Sequence, residues 1–222
     1  MSDYTTKTRL NIATTAIKEA ENYTNWLFTK QGKDYKTIIP KFHDNYKHIK
    51  EKIKEYSLEI PRNAMPVIEP KDMKKFEADV KKGNLMDLFA PYVPGKAIFP
   101  EDYYSIIERK HNVNIRNIHK IKPNVRMVPA NRLKPLQSQV WLNLVDNYIL
   151  QYGIPTSSSK TVKTTIIISR EMYILDGHHR WAQVMLSKPS LKMQTFFIPL
   201  DVRQLLELTK VYGVAIGNKP NQ

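Results

Sequence analysis

Apolar residues recur at helical spacing in the first part of the chain. From residue 5 to about residue 28 they occur at steps of three and four, which predicts an amphipathic helix. A second helix, interrupted by a proline, is predicted over residues 36–56, and a short third one near residues 72–82. Because six prolines fall between residues 59 and 100, we expect a helical region with a proline-rich connector over residues 1–100.

The apolar pattern changes in the second half of the chain. Apolar and β-branched residues at 166–169 and 173–175 predict two short strands that meet at a turn, and a further strand is predicted at 195–199. A helix is predicted over residues 138–151, ending at a glycine. Short strands mixed with helices indicate an α+β domain, which we place at residues 101–222.

Two further features lie within this domain. Asp201 is predicted to cap a last helix, with Gln204 at the reciprocal capping position. Residues 156–160, mostly hydroxyl-bearing, are predicted to form a polar surface loop. Neither feature by itself indicates a function.

The sequence Asp-Gly-His-His-Arg at residues 176–180 joins a predicted strand to a helix. Apolar residues recur at helical spacing from His178 onward, which places both histidines and Arg180 on the first helical turn. The first N–H groups of a helix have no acceptor within it and lie at its positive end, so such a turn suits an anion. Adjacent helical residues point about 100° apart, so we expect one histidine to face the ligand and the other to orient or pack. The alternative is a surface helix capped by Asp176 with solvated basic residues.

These residues resemble a known family. The sequence Ile-Leu-Asp-Gly-His-His-Arg-Trp-Ala at residues 174–182 is similar to the signature of the ParB/sulfiredoxin superfamily, whose members place a Gly-x-x-Arg turn under the phosphates of a nucleotide. Residues 128–137, which end in Leu-Lys-Pro-Leu-Gln, are similar to the opening strand and Pro-x-Gln segment of that family. The resemblance covers about residues 120–200. It implies a small mixed sheet with helices, preceded here by the helical N-terminal extension.

Departures from the family pattern narrow the implied activity. Sulfiredoxin has a cysteine at the position of His178, whereas this chain has no cysteine, so sulfiredoxin chemistry is excluded. Chromosome-partition ParB proteins have a glutamate there and a DNA-binding domain afterwards, for which the tail beyond residue 199 is short. The sequence Asp-Gly-His-His-Arg resembles the branch that contains kinases of free serine and ParB-like proteins described as nucleases.

The kinase resemblance implies a phosphate-binding set. Gly177 would let the backbone approach a phosphate, and Arg180 would neutralise charge on the transferred group. His178 or His179 would donate to a phosphate oxygen, and Gln137 would contact the nucleotide from the neighbouring segment. The implied ligand is a nucleoside di- or triphosphate, namely ATP, ADP or CTP.

The same resemblance implies three catalytic candidates. His178 or His179 has an ordinary pKa that suits proton transfer near neutral pH. Asp176 would orient a histidine, hold Mg²⁺, or act as base toward the acceptor hydroxyl. No residue matches the catalytic glutamate of the serine kinases, and the metal ligands stay unknown. A zinc site is disfavoured because the i, i+4 histidine pair and cysteines are absent.

The charge of the chain points to an acidic partner. It has 35 Lys and Arg against 21 Asp and Glu, a net charge of +14. The commonest acidic partner of such a basic protein is nucleic acid. Residues 109–134 contain no acid and could follow a phosphate backbone, or could instead be a solvated strand edge. The candidate contacts in this segment are basic residues: Arg109, Lys110, Arg116, Lys120, Lys122 and Arg126.

Two functions follow from these patterns. One is a cytoplasmic, nucleotide-dependent phosphotransferase that acts on a hydroxyl-bearing acceptor. The other is a ParB-like DNA-binding module, with or without nuclease activity, that has no kinase activity. We expect no membrane span, since no apolar run is long enough to cross a bilayer, and the lack of cysteine fits an intracellular protein.

Overall fold

A computed structural model describes residues 4, 8–60, 65, 68, 71–81 and 123–218, with only the backbone for five residues of the last helix. The helices in these ranges are α1 (Ile17–Thr29), α2 (Tyr35–Ile38), α3 (Phe42–Tyr56), α4 (Met73–Lys81), α5 (Leu142–Tyr152), α6 (Lys160–Lys163), α7 (His178–Ser187) and α8 (Val202–Ala215). A 3₁₀ turn lies at Ala130–Arg132. The strands are β1 (Asn124–Pro129), β2 (Lys134–Pro135), β3 (Ile166–Ile168), β4 (Tyr173–Ile174) and β5 (Lys192–Phe197).

The strands form one five-stranded sheet in the order β1-β5-β3-β4-β2. β3 runs antiparallel to β4, with Ile168 opposite Ile174, and parallel to β5, with Ile166 opposite Thr195. All three residues of β3 are buried, as expected for a strand inside a sheet. The mixed sheet with its helices confirms the α+β class.

Tertiary pairing shortens two of the predicted helices. The helix predicted from residue 5 begins only at Ile17, and the one predicted from residue 138 begins at Leu142, so these starts are wrong for the described residues. The reason is a short antiparallel bridge, in which the N–H of Ile12 donates to Val140 and the N–H of Leu142 donates to Leu10, both at 2.8 Å. The apolar residues of these two stretches have helical spacing, but long-range backbone pairing prevents them from forming a helix.

Other predicted elements are confirmed. Separate helices α2 and α3 flank the proline at residue 40, because proline cannot continue a helix. Helix α4 lies within the predicted range, and β3 and β4 occupy the two short apolar stretches. The polar loop is observed at residues 156–159, where hydroxyl groups bond to one another before α6 begins. The closing strand β5 begins three residues earlier than predicted.

The described residues cluster into two compact units, of which the first contains Met1–Ile60, Met127–Thr164 and Gly177–Gln194. Its helices α1, α3, α5 and α7 pack against one another around fully buried aromatic side chains. Trp181 is the largest of these, and its Nε1 donates to the carbonyl of Ala130 at 3.0 Å. Asn45 of α3 likewise donates to the carbonyl of Leu186 near the end of α7. Helix α7 is therefore fixed at both ends within this unit.

The second unit contains Pro61–Arg126, Thr165–Asp176 and Thr195–Gln222. Phe76 of α4 meets Phe196 edge to face, with ring centroids 6.0 Å apart. Helix α8 starts as predicted: Asp201 accepts the N–H groups of Arg203 and Gln204, and the Gln204 side chain accepts the N–H of Asp201. The predicted domain boundary at residue 100 lies outside the described residues.

No helix in the described ranges is long and apolar enough to cross a membrane.

Candidate functional site

The turn at the start of α7 depends on a glycine. Gly177 is the N-cap and has φ 91° and ψ 25°, a left-handed conformation in which a side chain would clash with the following carbonyl. The cap makes no side-chain hydrogen bond, and the first turn contains no acidic residue. The alternative in which Asp176 caps this helix is therefore wrong. Asp176 precedes the cap and is half-buried.

His178 is the buried histidine of the pair. Its side chain is 3% exposed, and its Nε2 accepts two backbone N–H groups, from Leu136 at 3.0 Å and from Gln137 at 3.2 Å. Since Nε2 must carry a lone pair to accept these bonds, the ring is the neutral form with its hydrogen on Nδ1. The imidazole therefore fixes the Pro-x-Gln segment against the first turn of α7.

The environment of His178 opposes protonation. Burial, and secondarily the neighbouring His179, lower its pKa to about 3. An added proton on Nε2 would also face two N–H donors. This geometry does not favour the proton-transfer role predicted for His178, and we assign it to positioning.

His179 and Arg180 are half-buried in the same turn. The Nε2 of His179 accepts the backbone N–H of Trp141 at 3.1 Å, which ties the start of α5 to the start of α7. The guanidinium of Arg180 donates to the carbonyl of Thr164 at 2.8 Å. A guanidinium group has five N–H donors and can make several hydrogen bonds at once. The two adjacent histidines thus differ in burial, as their spacing led us to expect.

The structure brings together most of the predicted phosphate-binding residues. Gly177, His179 and Arg180 share one turn, and the backbone of Gln137 joins that turn through His178. The Gln137 side chain is half-buried. The two motifs named from the sequence therefore meet, although their roles in binding a nucleotide remain predictions.

Clustered metal ligands are absent from the described part of the chain. Among the described residues there is no group of three or more His, Cys, Asp and Glu side chains suited to a metal ion. Mg²⁺ is often held by one or two carboxylates together with substrate phosphates.

The predicted nucleic-acid contacts are described only in part. Arg109, Lys110, Arg116, Lys120 and Lys122 lie outside the described residues. Arg126 is exposed on β1, where its guanidinium stacks 3.7 Å from the ring centroid of Phe197 and bonds to Asn124.

One unusual residue was not predicted. Asp146 of α5 is fully buried, its Oδ2 accepts the hydroxyl of Thr24 at 2.7 Å, and its Oδ1 has no hydrogen-bond partner. Burial raises its pKa to about 7, although the Thr24 bond acts in the opposite direction. The sequence could have indicated that Asp146 is buried, because Asp146 lies at helical spacing from the apolar residues Leu142 and Ile149, both of which are buried.

No protein-family model, curated protein or solved structure matches this chain.

Proposed function

We propose that this protein binds the phosphates of ATP, ADP or CTP at the start of α7 and transfers a phosphoryl group to a hydroxyl-bearing acceptor. The observation that carries the proposal is the turn at residues 177–180. It has a left-handed glycine cap, no acid, and two half-buried basic side chains in its first turn. An anion would complement the positive end of this ten-residue helix.

The residues of the turn have separate parts in this proposal. Gly177 gives a phosphate access to the backbone, and Arg180 complements the charge that spreads over the transferred group. His179 donates to a phosphate oxygen. His178 acts as a positioning residue, because it holds Gln137 next to the turn without touching the substrate.

The chemical step is a phosphoryl transfer. The acceptor oxygen forms a bond to the terminal phosphorus as the bond from that phosphorus to its bridging oxygen breaks. The acceptor loses its hydroxyl proton to a base, for which Asp176 is the proposed group, and the nucleotide leaves with one phosphate fewer. Mg²⁺ brought by the nucleotide would supply charge neutralisation to the phosphates when bound.

Nucleotide binding is the first test. Titration calorimetry with ATP, ADP and CTP should show micromolar to millimolar binding by the wild type, weakened about tenfold or more by Arg180→Gln, as for a charge-assisted contact. Arg203→Gln is the matched control, since Arg203 is exposed on α8 and its substitution removes the same charge. Equal weakening by both substitutions would show that net charge, not the turn, governs binding.

Turnover is the second test. Release of product nucleotide is measured with free serine, nucleosides and an oligonucleotide as acceptors, for the wild type and for His179→Ala. We expect the substitution to lower turnover about tenfold or more. Turnover unchanged by His179→Ala would remove that residue from the proposal. Salt-sensitive DNA binding without any turnover would support the ParB-like DNA-binding alternative.

A further inference from the structure

A tryptophan connects an arginine of the N-terminal segment to the start of α7. Arg9 is exposed, and the central carbon of its guanidinium, Cζ, lies 5.9 Å from the ring centroid of Trp141. The backbone N–H of the same tryptophan donates to the Nε2 of His179 at 3.1 Å. Trp141 therefore contacts both Arg9 and the first turn of α7, and all three residues belong to the first unit.

Backbone pairing explains why Arg9 meets Trp141. Asn11 is opposite Trp141 in the short antiparallel bridge, and hydrogen bonds of 2.8 Å on either side fix this register. Because side chains alternate along paired strands, Arg9 lies on the same face as Asn11, diagonally across from Trp141. Diagonal neighbours of this kind are within reach of long and aromatic side chains. The bridge therefore places the guanidinium at the tryptophan ring.

The charge of Arg9 is not neutralised by the described part of the chain. There its guanidinium has no hydrogen bond and no ion pair, and its recorded interaction is with the Trp141 ring. Residues 8–12 and 140–142, which form the bridge, contain no acid, and neither does the first turn of α7. The distance to the ring is close to the limit of about 6 Å for cation–π attraction, so this contact is weak. A charge-assisted bond to a phosphate is stronger, and the guanidinium can exchange one contact for the other.

We propose that Arg9 binds the terminal phosphate of the nucleotide at the start of α7 and makes this site selective for nucleoside triphosphates. The inference rests on the proposed function, in which Gly177, His179 and Arg180 hold the phosphates. Arg9 lies beyond His179, on the Trp141 side of the turn. A further cation gains most at the terminal phosphate, which carries about two negative charges near neutral pH, whereas the ribose carries none.

Trp141 acts in this proposal as a positioning residue. Its ring holds the guanidinium near the turn before the ligand arrives, which reduces the entropy lost on binding. The indole Nε1–H is buried and has no hydrogen-bond partner within the described residues, so replacing the indole by a phenyl ring removes no bond. The bond from Trp141 to His179 is made by the backbone and does not depend on the indole. Substitutions at this position therefore test the ring alone.

Paired tri- and diphosphates test the selectivity. Titration calorimetry compares ATP with ADP, and CTP with CDP, in the wild type and in Arg9→Gln. We expect the substitution to weaken triphosphate binding about tenfold or more and diphosphate binding by no more than about threefold, because the diphosphate lacks the phosphate that Arg9 contacts. Arg203→Gln, which removes the same charge from an exposed position of α8, should leave the ratio of the two affinities unchanged.

Two results of this titration would overturn the inference. One is equal triphosphate affinity in Arg9→Gln and Arg203→Gln, which would leave only an effect of net charge. The other is an equal loss of tri- and diphosphate affinity in Arg9→Gln, since Arg9 would then not distinguish the terminal phosphate. Because Arg9 is exposed and has no hydrogen bond within the described residues, its substitution should not disturb folding.

A double-mutant cycle tests the role of the ring. Trp141→Leu should weaken triphosphate binding about threefold or more in the wild type but less than about twofold in Arg9→Gln, because the ring then has no guanidinium to hold. Trp141→Phe keeps a ring beside Arg9 and should bind the triphosphate within about twofold of the wild type. Equal effects of Trp141→Leu in the two backgrounds would exclude the positioning role. Circular dichroism checks that each variant is folded.

Failure of this inference is distinguishable from failure of the proposed function. If Arg180→Gln weakens nucleotide binding while Arg9→Gln behaves like Arg203→Gln, the site at the start of α7 stands and Arg9 is excluded from it. If the wild type binds none of the four nucleotides, or if Arg180→Gln has no more effect than Arg203→Gln, both proposals fail.

Discussion

The Nε2 of His178 lies 3.0 Å from the backbone nitrogen of Leu136 and accepts its N–H, although 42 positions separate the two residues. This bond, with the neighbouring one from Gln137, connects the Pro-x-Gln segment to the Asp-Gly-His-His-Arg turn. Histidine commonly transfers protons in enzymes, but His178 instead holds a backbone segment in place.

Removal of the His178 imidazole should destabilise the protein. His178→Ala would leave two N–H donors without an acceptor and open a buried cavity, which costs about 2–4 kcal/mol. His178→Gln, which offers a side-chain oxygen as acceptor, should recover part of this stability. Urea unfolding measures both variants, with His179→Ala as a control that removes the bond to Trp141 at a half-buried site. A His178→Ala protein as stable as the His179→Ala protein would contradict the positioning role.

His178 should also make the protein sensitive to acid. Its folded pKa is about 3, below the ordinary value of 6.5, so between these values the unfolded chain binds a proton that the folded chain does not. Stability is therefore lost as the pH falls from about 6.5 toward 3. The measurement is the unfolding free energy of the wild type minus that of His178→Gln, which should fall steadily and change sign as the pH is lowered over this range. A difference that does not change with pH would exclude the lowered pKa.

Any side chain at Gly177, the left-handed cap of α7, should lower the stability of the protein. Gly177→Ala should destabilise the protein by about 1–2 kcal/mol, whereas Gly177→Asn should cost less because asparagine enters this conformation more readily. Gly153→Ala, at φ 77° and ψ −176° after α5, is a control that strains a different positive-φ conformation at the opposite end of a helix. Both alanine variants should be less stable in thermal unfolding, but only Gly177→Ala should weaken nucleotide binding. Equal nucleotide affinity in the two proteins would argue against a phosphate at this turn.

The buried carboxyl of Asp146 should produce the opposite pH dependence. Its folded pKa is about 7 and its ordinary value is 3.8, so the folded chain binds the extra proton between them. Its contribution is fully present below about pH 4 and is lost as the pH rises through 7. Asp146→Asn should therefore gain stability relative to the wild type above pH 7, by up to about 4 kcal/mol at 1.4 kcal/mol per pKa unit.

Unfolding curves from pH 4.5 to 8.5 measure this difference, and the acid sensitivity from His178 cancels because both proteins have it. Thr24→Val is the matched variant: it removes the hydroxyl that lowers the pKa of Asp146, so the decline in stability should extend to higher pH. Parallel curves for the wild type and Asp146→Asn would show that the carboxyl is ionised in the folded state at neutral pH.

Local patterns were enough to predict several elements. The prolines and apolar spacing placed α2, α3 and α4, and the change of period at His178 placed the start of α7. The cap of α8 followed from Asp201 and Gln204 alone, because all of its hydrogen bonds join residues within three positions. Interactions of such short range depend little on the rest of the fold.

The predicted helix starts failed where distant residues intervened. Residues 10–12 have helical spacing, yet their backbone groups bond to residues 140–142, and no local pattern contains that partner. The same limit applies to the site. The turn could be recognised from residues 176–180, but the burial of His178 and its bonds to Leu136 and Gln137 could not.

The sequence by itself determined the α+β class, the strand-to-helix turn with its glycine and basic residues, and the acid-free basic segment. Tertiary structure alone decided which histidine is buried, that Asp146 lies in the core, and that Arg9 lies over the ring of Trp141. The physical reason is that spacing along the chain sets backbone conformation and amphipathic faces, whereas burial and long-range partners set the pKa and contacts of each side chain.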